Sequence, residues 1–397
     1  MVFDTQLARR DTPGCLGVVH LHHSGSAMMP IPVIDAFRGH IELETIRGGY
    51  EAEEEAKEKL NAVYSSIGSM INCSSNEIAL TESATVAWNA VFYGIAQTLK
   101  PGDRILTSKS EYVSNMIAYF QVAERTGAQV EVVPDDDTGQ LDVRALESMI
   151  NNRVRLISVT HVPTHNGLVN PINDIGQVAS DYNIPYIVDA CQSAGQMPLD
   201  VTQIGCDALS ATGRKFLRAP RGTGFLYVRE QMLERFPPVT LDLHAATWTG
   251  PQTYELQAGA RRYEMFESNI AARIGLGAAV DYAMSWGLAD IYSRIRFLAD
   301  RLREQLGLIE RVTLRDKGKE KCGIVTFTLD GINAEEFQQL MRKKNINVGV
   351  SKRNCALTDL EEWGLDSLIR SPVHYYNSDD EIEFFVNEVK KLAESLS

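Results

Sequence analysis

The sequence predicts an α/β architecture, a large domain on a mostly parallel sheet followed by a small α+β domain, and three observations predict it. From about residue 77 to 230, short apolar runs alternate with helical patterns. The breakers KPGD (100–103) and PDDDTG (134–139) fall between these runs, and past residue 321 the order changes to strand, helix, strand, strand, helix. Nearly continuous apolar strands spaced by helices suit a sheet covered on both faces, because parallel neighbours need crossover helices.

Along the chain, the N-terminal MVFDTQLARRDTPG has two arginines but no apolar stretch of the kind a secretion signal carries. The acidic run EAEEEAKEKL (51–60) reads as the solvated face of a helix. EIAL leads into the helical TVAWNAVFYGIAQTL and DRILTS into SNMIAYFQVAERTG. AQVEVV, VRLISVT, IPYIVDA, DALSAT and GTGFLYV complete a seven-stranded sheet. Residues 268–306 keep a helical period and suit a long connector. KCGIVTFTL, AEEFQQLMRKK, NINVGV, SLIRSPVHYY and DDEIEFFVNEVKKLAESL then form the small domain. The expected division is 17–267 for the large domain, and 268–397 with residues 1–16 for the connector and small domain.

Composition narrows the function classes. A chain of 397 residues suggests two or three domains. With 39 Lys+Arg against 52 Asp+Glu the net charge is −13, a field that repels phosphate backbones and anionic lipid, so neither nucleic acid nor membrane is the expected partner. No apolar run approaches the roughly 18 residues of a membrane span. Six cysteines without any C-x-x-C pair fit reduced thiols in a cytoplasm and no zinc site. His161 and His165 are four apart, but Pro163 between them opposes the single helical face of a metal pair, and no metal is expected.

The segment 188–228 carries the chemistry. Asp189 closes the apolar strand IPYIVDA, a costly burial unless a cation meets it, and Lys215 follows the strand end LSATGRK 26 residues later. Both fall at strand C-termini, where open sheets bind ligands. One reading is pyridoxal 5′-phosphate (PLP), whose aldehyde condenses with a lysine while a carboxylate keeps its ring nitrogen protonated. The other is a plain salt bridge in a sugar- or nucleotide-binding α/β protein.

The run DACQSAGQMPLDV…GCDALSATGRKFLRAPRGTGFLYV resembles the PLP-lysine signature of class V aminotransferases, a group that includes cysteine desulfurases, isopenicillin N epimerase and hercynylcysteine sulfoxide lyases. The similarity extends through HHSGSAMMPIPV, GGYEAEEEA, TESATVAWN, THVPTHNGLVNP, RRYEMFESNIAARIGLGAAVDYA and IRSPVHYYNSDDEI. It implies a PLP-dependent transferase of fold type I, working as a homodimer with composite sites on a small amino-acid substrate. Lys215 is then the cofactor lysine and catalytic base or acid, and Asp189 the ring-nitrogen partner. Gln192 lies near the ring's 3-hydroxyl with Thr164 close by. Ala84 and Thr85, opening a helix, hold the phosphate with Thr212 and with Arg214, which stands where many relatives have histidine. Thr85 as a simple helix cap and Arg214 as a surface arginine remain open.

Tyr112 occupies the position where desulfurases stack a histidine on the cofactor. It is either an inert stacking ring or a second catalytic group whose phenol moves protons. Arg370 matches the arginine that clamps the substrate carboxylate. His22, His23 and Ser24 precede the first helix, where they either face the substrate or are simply exposed loop residues; His23 and Ser24 are expected to join Arg370 in binding the substrate. Glu267 replaces a desulfurase threonine that reaches the partner subunit's phosphate.

The His23–Pro30 loop, GGYEA, Tyr112, THVPT, RRYEMFESN and SPVHYYN together are most similar to hercynylcysteine sulfoxide lyase-like proteins, the ergothioneine-type carbon–sulfur lyases. The implied reaction is β-elimination of the sulfur substituent from an S-substituted cysteine or its sulfoxide, giving pyruvate and ammonia. The alternatives are a cysteine desulfurase or selenocysteine lyase using Cys355, whose neighbours Lys352 and Arg353 favour a thiolate, a class V aminotransferase or epimerase, and a non-enzymatic scaffold of the same fold.

Overall fold

The computed structural model describes residues 3–396. A short strand, β1 (Val19–Leu21), precedes the helices Ile31–Arg47, Gly49–Glu55 and Lys57–Ile71. All seven expected strands follow: β2 (Ile78–Thr81), β3 (Arg104–Thr107), β4 (Gln129–Val132), β5 (Val154–Thr160), β6 (Tyr186–Asp189), β7 (Ala208–Thr212) and β8 (Gly224–Val228). They form one sheet in the order β2-β8-β7-β6-β5-β3-β4. β3 to β7 pair in parallel, and only β8 runs against its neighbours.

Every residue of β2, β6, β7 and β8 is buried, whereas the edge strand β4 is only partly covered. The continuous apolar runs reflect cores on both faces. Tyr186 and Val188 of β6 enter one apolar cluster and Ile187 the other, as the two-residue period of a strand requires.

A hairpin, β9 (Ala246–Gly250) and β10 (Thr253–Leu256), stands off the body with Trp248 and Tyr254 exposed. The C-terminal sheet uses β11 (Val312–Leu314), β12 (Thr326–Leu329), β13 (Ile346–Lys352) and β14 (Ser367–Arg370), in the order β1-β13-β14-β12-β11. Its edge strand is β1, parallel to β13 with Val19 opposite Ile346. Residues 19–21 therefore belong to the small sheet, and the expected large-domain start at 17 is corrected.

The connector is two helices, Ile270–Trp286 and Leu288–Gly307, broken at Gly287, whose φ of +78° lies in the left-handed region glycine tolerates best. The first packs on the helices Ile31–Arg47 and Lys57–Ile71, so it joins the large body. The acidic run also spans a break, at Ala56. Ala52 and Ala56 are buried there while Glu51, Glu54, Glu55 and Glu58 face solvent. Among the described residues no helix is long and apolar enough to cross a membrane.

Candidate active site

Neighbouring strand ends bring the aspartate and the lysine together. Asp189 is the last residue of β6, opposite Ser210 of β7, and Lys215 lies three residues past the end of β7. Both side chains are buried. Burial pushes the Asp189 carboxyl up and the Lys215 amine down, because each environment disfavours charge, and their mutual attraction offsets part of both shifts. The Asp189 carboxylate accepts from the Cys191 N–H at 2.9 Å and from Asn115 Nδ2 at 3.2 Å.

The turn that presents Lys215 is clamped from below. The Arg218 N–H bonds the Lys215 carbonyl at 3.0 Å. The buried Arg218 guanidinium reaches the Met28 carbonyl, Tyr375 Oη and Thr12 Oγ1 and stacks 4.2 Å over the Tyr376 ring.

Ser83, not Thr85, caps the helix Ala84–Ala96: its hydroxyl accepts from the Val86 N–H at 3.2 Å. The reading of Thr85 as a cap is thereby corrected. Among the described residues the Ala84 and Thr85 N–H groups have no acceptor, an arrangement suited to an anion. The helix start lies hard against β8. A Cβ on Gly224 would lie 3.0 Å from the Ala84 nitrogen, so only glycine permits this approach. Thr212 donates to the Thr223 carbonyl at 3.2 Å, and Arg214 is no surface arginine, since it bonds the Gly25 carbonyl at 2.8 Å.

A continuous chain of hydrogen bonds then crosses to the small domain. Gln192 Nε2 donates to the Ser24 carbonyl and to Thr164 Oγ1, both at 3.1 Å. Arg370, from β14, donates to Thr164 Oγ1 at 2.6 Å and to the Thr164 carbonyl at 2.9 Å. Burial lowers the Arg370 pKa to about 10, while Cys355 and Tyr112 in its field push it back up. Lys215 Nζ stands 6.0 Å from the centre of the Tyr112 ring.

His23 does not face this cleft. Its ring is buried, with Nε2 on Asn377 Oδ1 at 3.0 Å and Nδ1 on Tyr376 Oη at 3.1 Å, so the expectation of substrate contact is corrected. The preceding His22 and Arg370 instead close on the same spot: a Cβ on Gly349 would lie 2.8 Å from the His22 ring and 3.4 Å from Arg370 Nε. Burial lowers the His22 pKa to about 4, with Arg370 adding to the effect, so the ring is neutral at pH 7.

Cys355 is the exposed cysteine, at the end of the turn Arg353–Cys355 that follows β13. Lys352 faces Glu335, and Arg353 faces Glu361 and Asp366, so neither is free for the thiol as expected. His165 bonds Asp359 at 2.6 Å. Glu267 is exposed beside Tyr50 and Phe266.

Three further residues escaped the sequence reading: Glu111, Asn115 and Asp359. Glu111 and Asn115 stand four apart on either side of Tyr112, the only signal in the sequence that pointed to them, although Glu111 lies just before the helix Val113–Thr126.

The pocket's polar atoms can be tested against PLP. Gln192 Oε1, Ser24 Oγ and Arg370 Nε are buried with no partner among the described residues, which is costly unless a polar ligand meets them. A depressed lysine, a carboxylate for a ring nitrogen and an open helix N-terminus supply what the aldehyde, pyridine and phosphate need. PLP fits. Fold and site together define a PLP-dependent enzyme of fold type I.

Comparison with known proteins agrees and narrows the class. The family profile described as "Aminotransferase class-V" matches residues 19–385, and the chain belongs to that family. A probable cysteine desulfurase of Xylella fastidiosa (strain 9a5c) is 30% identical over 383 residues, covering 96% of this chain and 92% of the relative. The structure of a cysteine desulfurase from Thermococcus onnurineus NA1 matches with TM-score 0.93 and 26% identity, covering 100% of this chain and 99% of the other. A second structure, with glycine covalently linked to its PLP cofactor, shares the fold at TM-score 0.86 and 21% identity over 96% of this chain and 98% of its own.

Proposed function

We propose that the protein cleaves the carbon–sulfur bond of cysteine and hands the sulfur to Cys355, a cysteine desulfurase activity. The observation that carries this is the position of Cys355: the exposed thiol of the chain lies in the electrostatic field of Arg370, on the strand-end turn beside β14. When bound, PLP supplies an aldehyde that captures the substrate amine and a ring that draws electrons from bonds at its α-carbon.

The chain's own groups do the rest. Arg370 holds the substrate carboxylate with its free guanidinium edge while Thr164 fixes the other edge. Lys215, uncharged more readily because it is buried, takes the α-proton. Asp189 keeps the ring nitrogen protonated, Ala84, Thr85, Thr212 and Arg214 hold the phosphate end, and Gln192 meets the 3-hydroxyl. The Cys355 thiolate attacks the substrate sulfur. The Cβ–S bond breaks, an S–S bond forms on Cys355, and the carbon fragment keeps the electron pair and takes up a proton to become alanine.

With cysteine as substrate the expected products are alanine and a protein-bound persulfide, and Cys355→Ala should abolish both. Pyruvate and ammonia released undiminished by that variant would overturn the proposal. That outcome is the second reading, elimination from an S-substituted cysteine or sulfoxide, in which Tyr112 moves protons and Cys355 is idle. The observation that favours it is the Lys215 amine lying over the Tyr112 ring, 6.0 Å from its centre.

Arg370→Ala should raise KM for the amino acid about 100-fold, with a smaller change in kcat, because the clamp acts on bound and reacting substrate alike. Steady-state kinetics checks it. Exposed Tyr50 and Phe266 beside Glu267, and Trp248 on the hairpin, support a homodimer. An exposed working thiol suits a reducing cytoplasm.

A further inference from the structure

Behind Asp189 lies a second buried carboxylate that the reaction does not require. Glu111 sits between β3 and the helix Val113–Thr126, immediately before Tyr112, and is buried. It gathers donors from three elements. The Tyr112 N–H reaches Oε1 at 2.8 Å and Asn115 Nδ2 reaches it at 2.9 Å; the Thr160 N–H reaches Oε2 at 2.9 Å and Thr107 Oγ1 reaches it at 3.2 Å; the Thr160 hydroxyl also donates to Oε1.

Asn115 is the link. The same Nδ2 that donates to Glu111 also donates to Asp189 Oδ2 at 3.2 Å, so one amide group spans two carboxylates. Both neighbours can only accept when ionised, which fixes the orientation of the amide.

We propose that Glu111 is a positioning residue for the ring-nitrogen end of the cofactor: through Asn115 it orients Asp189, and its own charge sets how strongly Asp189 holds a proton on the ring nitrogen. The charged groups facing Glu111 are few. Asp189 of β6 repels its ionised form and Tyr119 of the following helix lies in its field, while the β3 and β5 ends contribute the Thr107 and Thr160 hydroxyls. Burial first, and Asp189 in addition, push the Glu111 pKa up to about 7 against the pull of its donors. Its charge therefore changes within the working range of a cellular enzyme. Below that pH one negative charge stands behind the ring; above it, two.

The inference concerns the cofactor site and is independent of which sulfur reaction follows, so its test uses holoenzyme without substrate. Protein loaded with PLP carrying nitrogen-15 in the ring should show a ring-nitrogen chemical shift with an inflection near pH 7. Glu111→Gln should remove the inflection, and Glu111→Asp should retain it, moved by no more than about one unit. A purely structural role would lower the melting temperature in both variants without separating them this way. A wild-type curve flat from about pH 5.5 to 8.5, or an inflection surviving in Glu111→Gln, would overturn the proposal. Should Glu111→Gln fail to load PLP, Asn115→Ala decides. It cuts the link but keeps the carboxylate, so the inflection should shrink at least about two-fold, and an unchanged amplitude overturns the proposal.

Discussion

Lys215→Ala yields a folded protein that binds PLP without the yellow absorbance of a lysine-bound cofactor and turns over at least about 10³-fold more slowly. The lysine is buried between the ends of β6 and β7, and burial lowers its pKa. A buried amine of this kind is a better nucleophile and base at neutral pH than a solvated lysine, which stays charged. The same environment sets the sign of the stability change. A lysine whose folded pKa lies below its unfolded value weakens the apo-fold at every pH where the amine must carry charge, and the penalty fades as pH rises toward the unfolded value of about 10.4. Apo Lys215→Ala should therefore melt no lower than apo wild type at pH 7. Spectra at 300–500 nm and thermal melts of both apo-proteins test the two halves separately. A variant that keeps the band, or unfolds earlier, contradicts this account of Lys215.

What could be read from the sequence follows from where each restraint acts. Strands covered on both faces must be apolar along their length, and this is why EIAL, IPYIVDA, DALSAT and GTGFLYV each mark a strand of the large sheet. Asp189 and Lys215 were legible because a charge ending such a run is chemically conspicuous. β1 was not: three residues pair with Ile346–Val348, more than 300 positions away, and no local period records that contact. The helix breaks at Ala56 and Gly287 interrupt apolar periods that continue through them, so backbone geometry alone reveals them. His23 and His22 are adjacent, and sequence does not say which of two neighbouring rings turns inward to Asn377 and which stays beside Arg370. Glu111 and Asp359 look like ordinary surface carboxylates until their tertiary partners are seen.

The largest stability effect is expected at Asp359, on the short helix Leu357–Glu362 two residues after Cys355. Its carboxylate accepts from His165 at 2.6 Å, Ser110 Oγ at 2.7 Å, Asn166 Nδ2 at 3.0 Å and Lys317 Nζ at 2.8 Å, with none of its side chain exposed. Ser110 lies two residues before Tyr112, and His165 directly follows Thr164, which holds Arg370. One carboxylate thus ties the segment carrying Cys355 to the two loops that carry Tyr112 and Thr164. Burial pushes its pKa up, but the hydrogen bond and charge of His165 and the charge of Lys317 outweigh this and hold it well below the usual carboxylate range. Asp359→Ala takes this acceptor from the buried Ser110 and His165 and leaves Lys317 with Glu362 alone, a loss of about 3–5 kcal/mol. A carboxyl with a depressed folded pKa stabilises the fold above its unfolded pKa of about 3.9, and that contribution drains away as pH falls below it. The stability gap between wild type and Asp359→Asn should then be widest near neutrality and narrow between about pH 4 and 2, which urea unfolding at a series of pH values would show. Under the proposed desulfurase reaction, alanine formation from cysteine in the same variant should fall about ten-fold in kcat with little change in KM, because the thiol would lose its placement while the proposed Arg370 clamp stays intact. A gap independent of pH, or a loss confined to KM, would mean that Asp359 neither carries the buried charge nor holds Cys355 in reach.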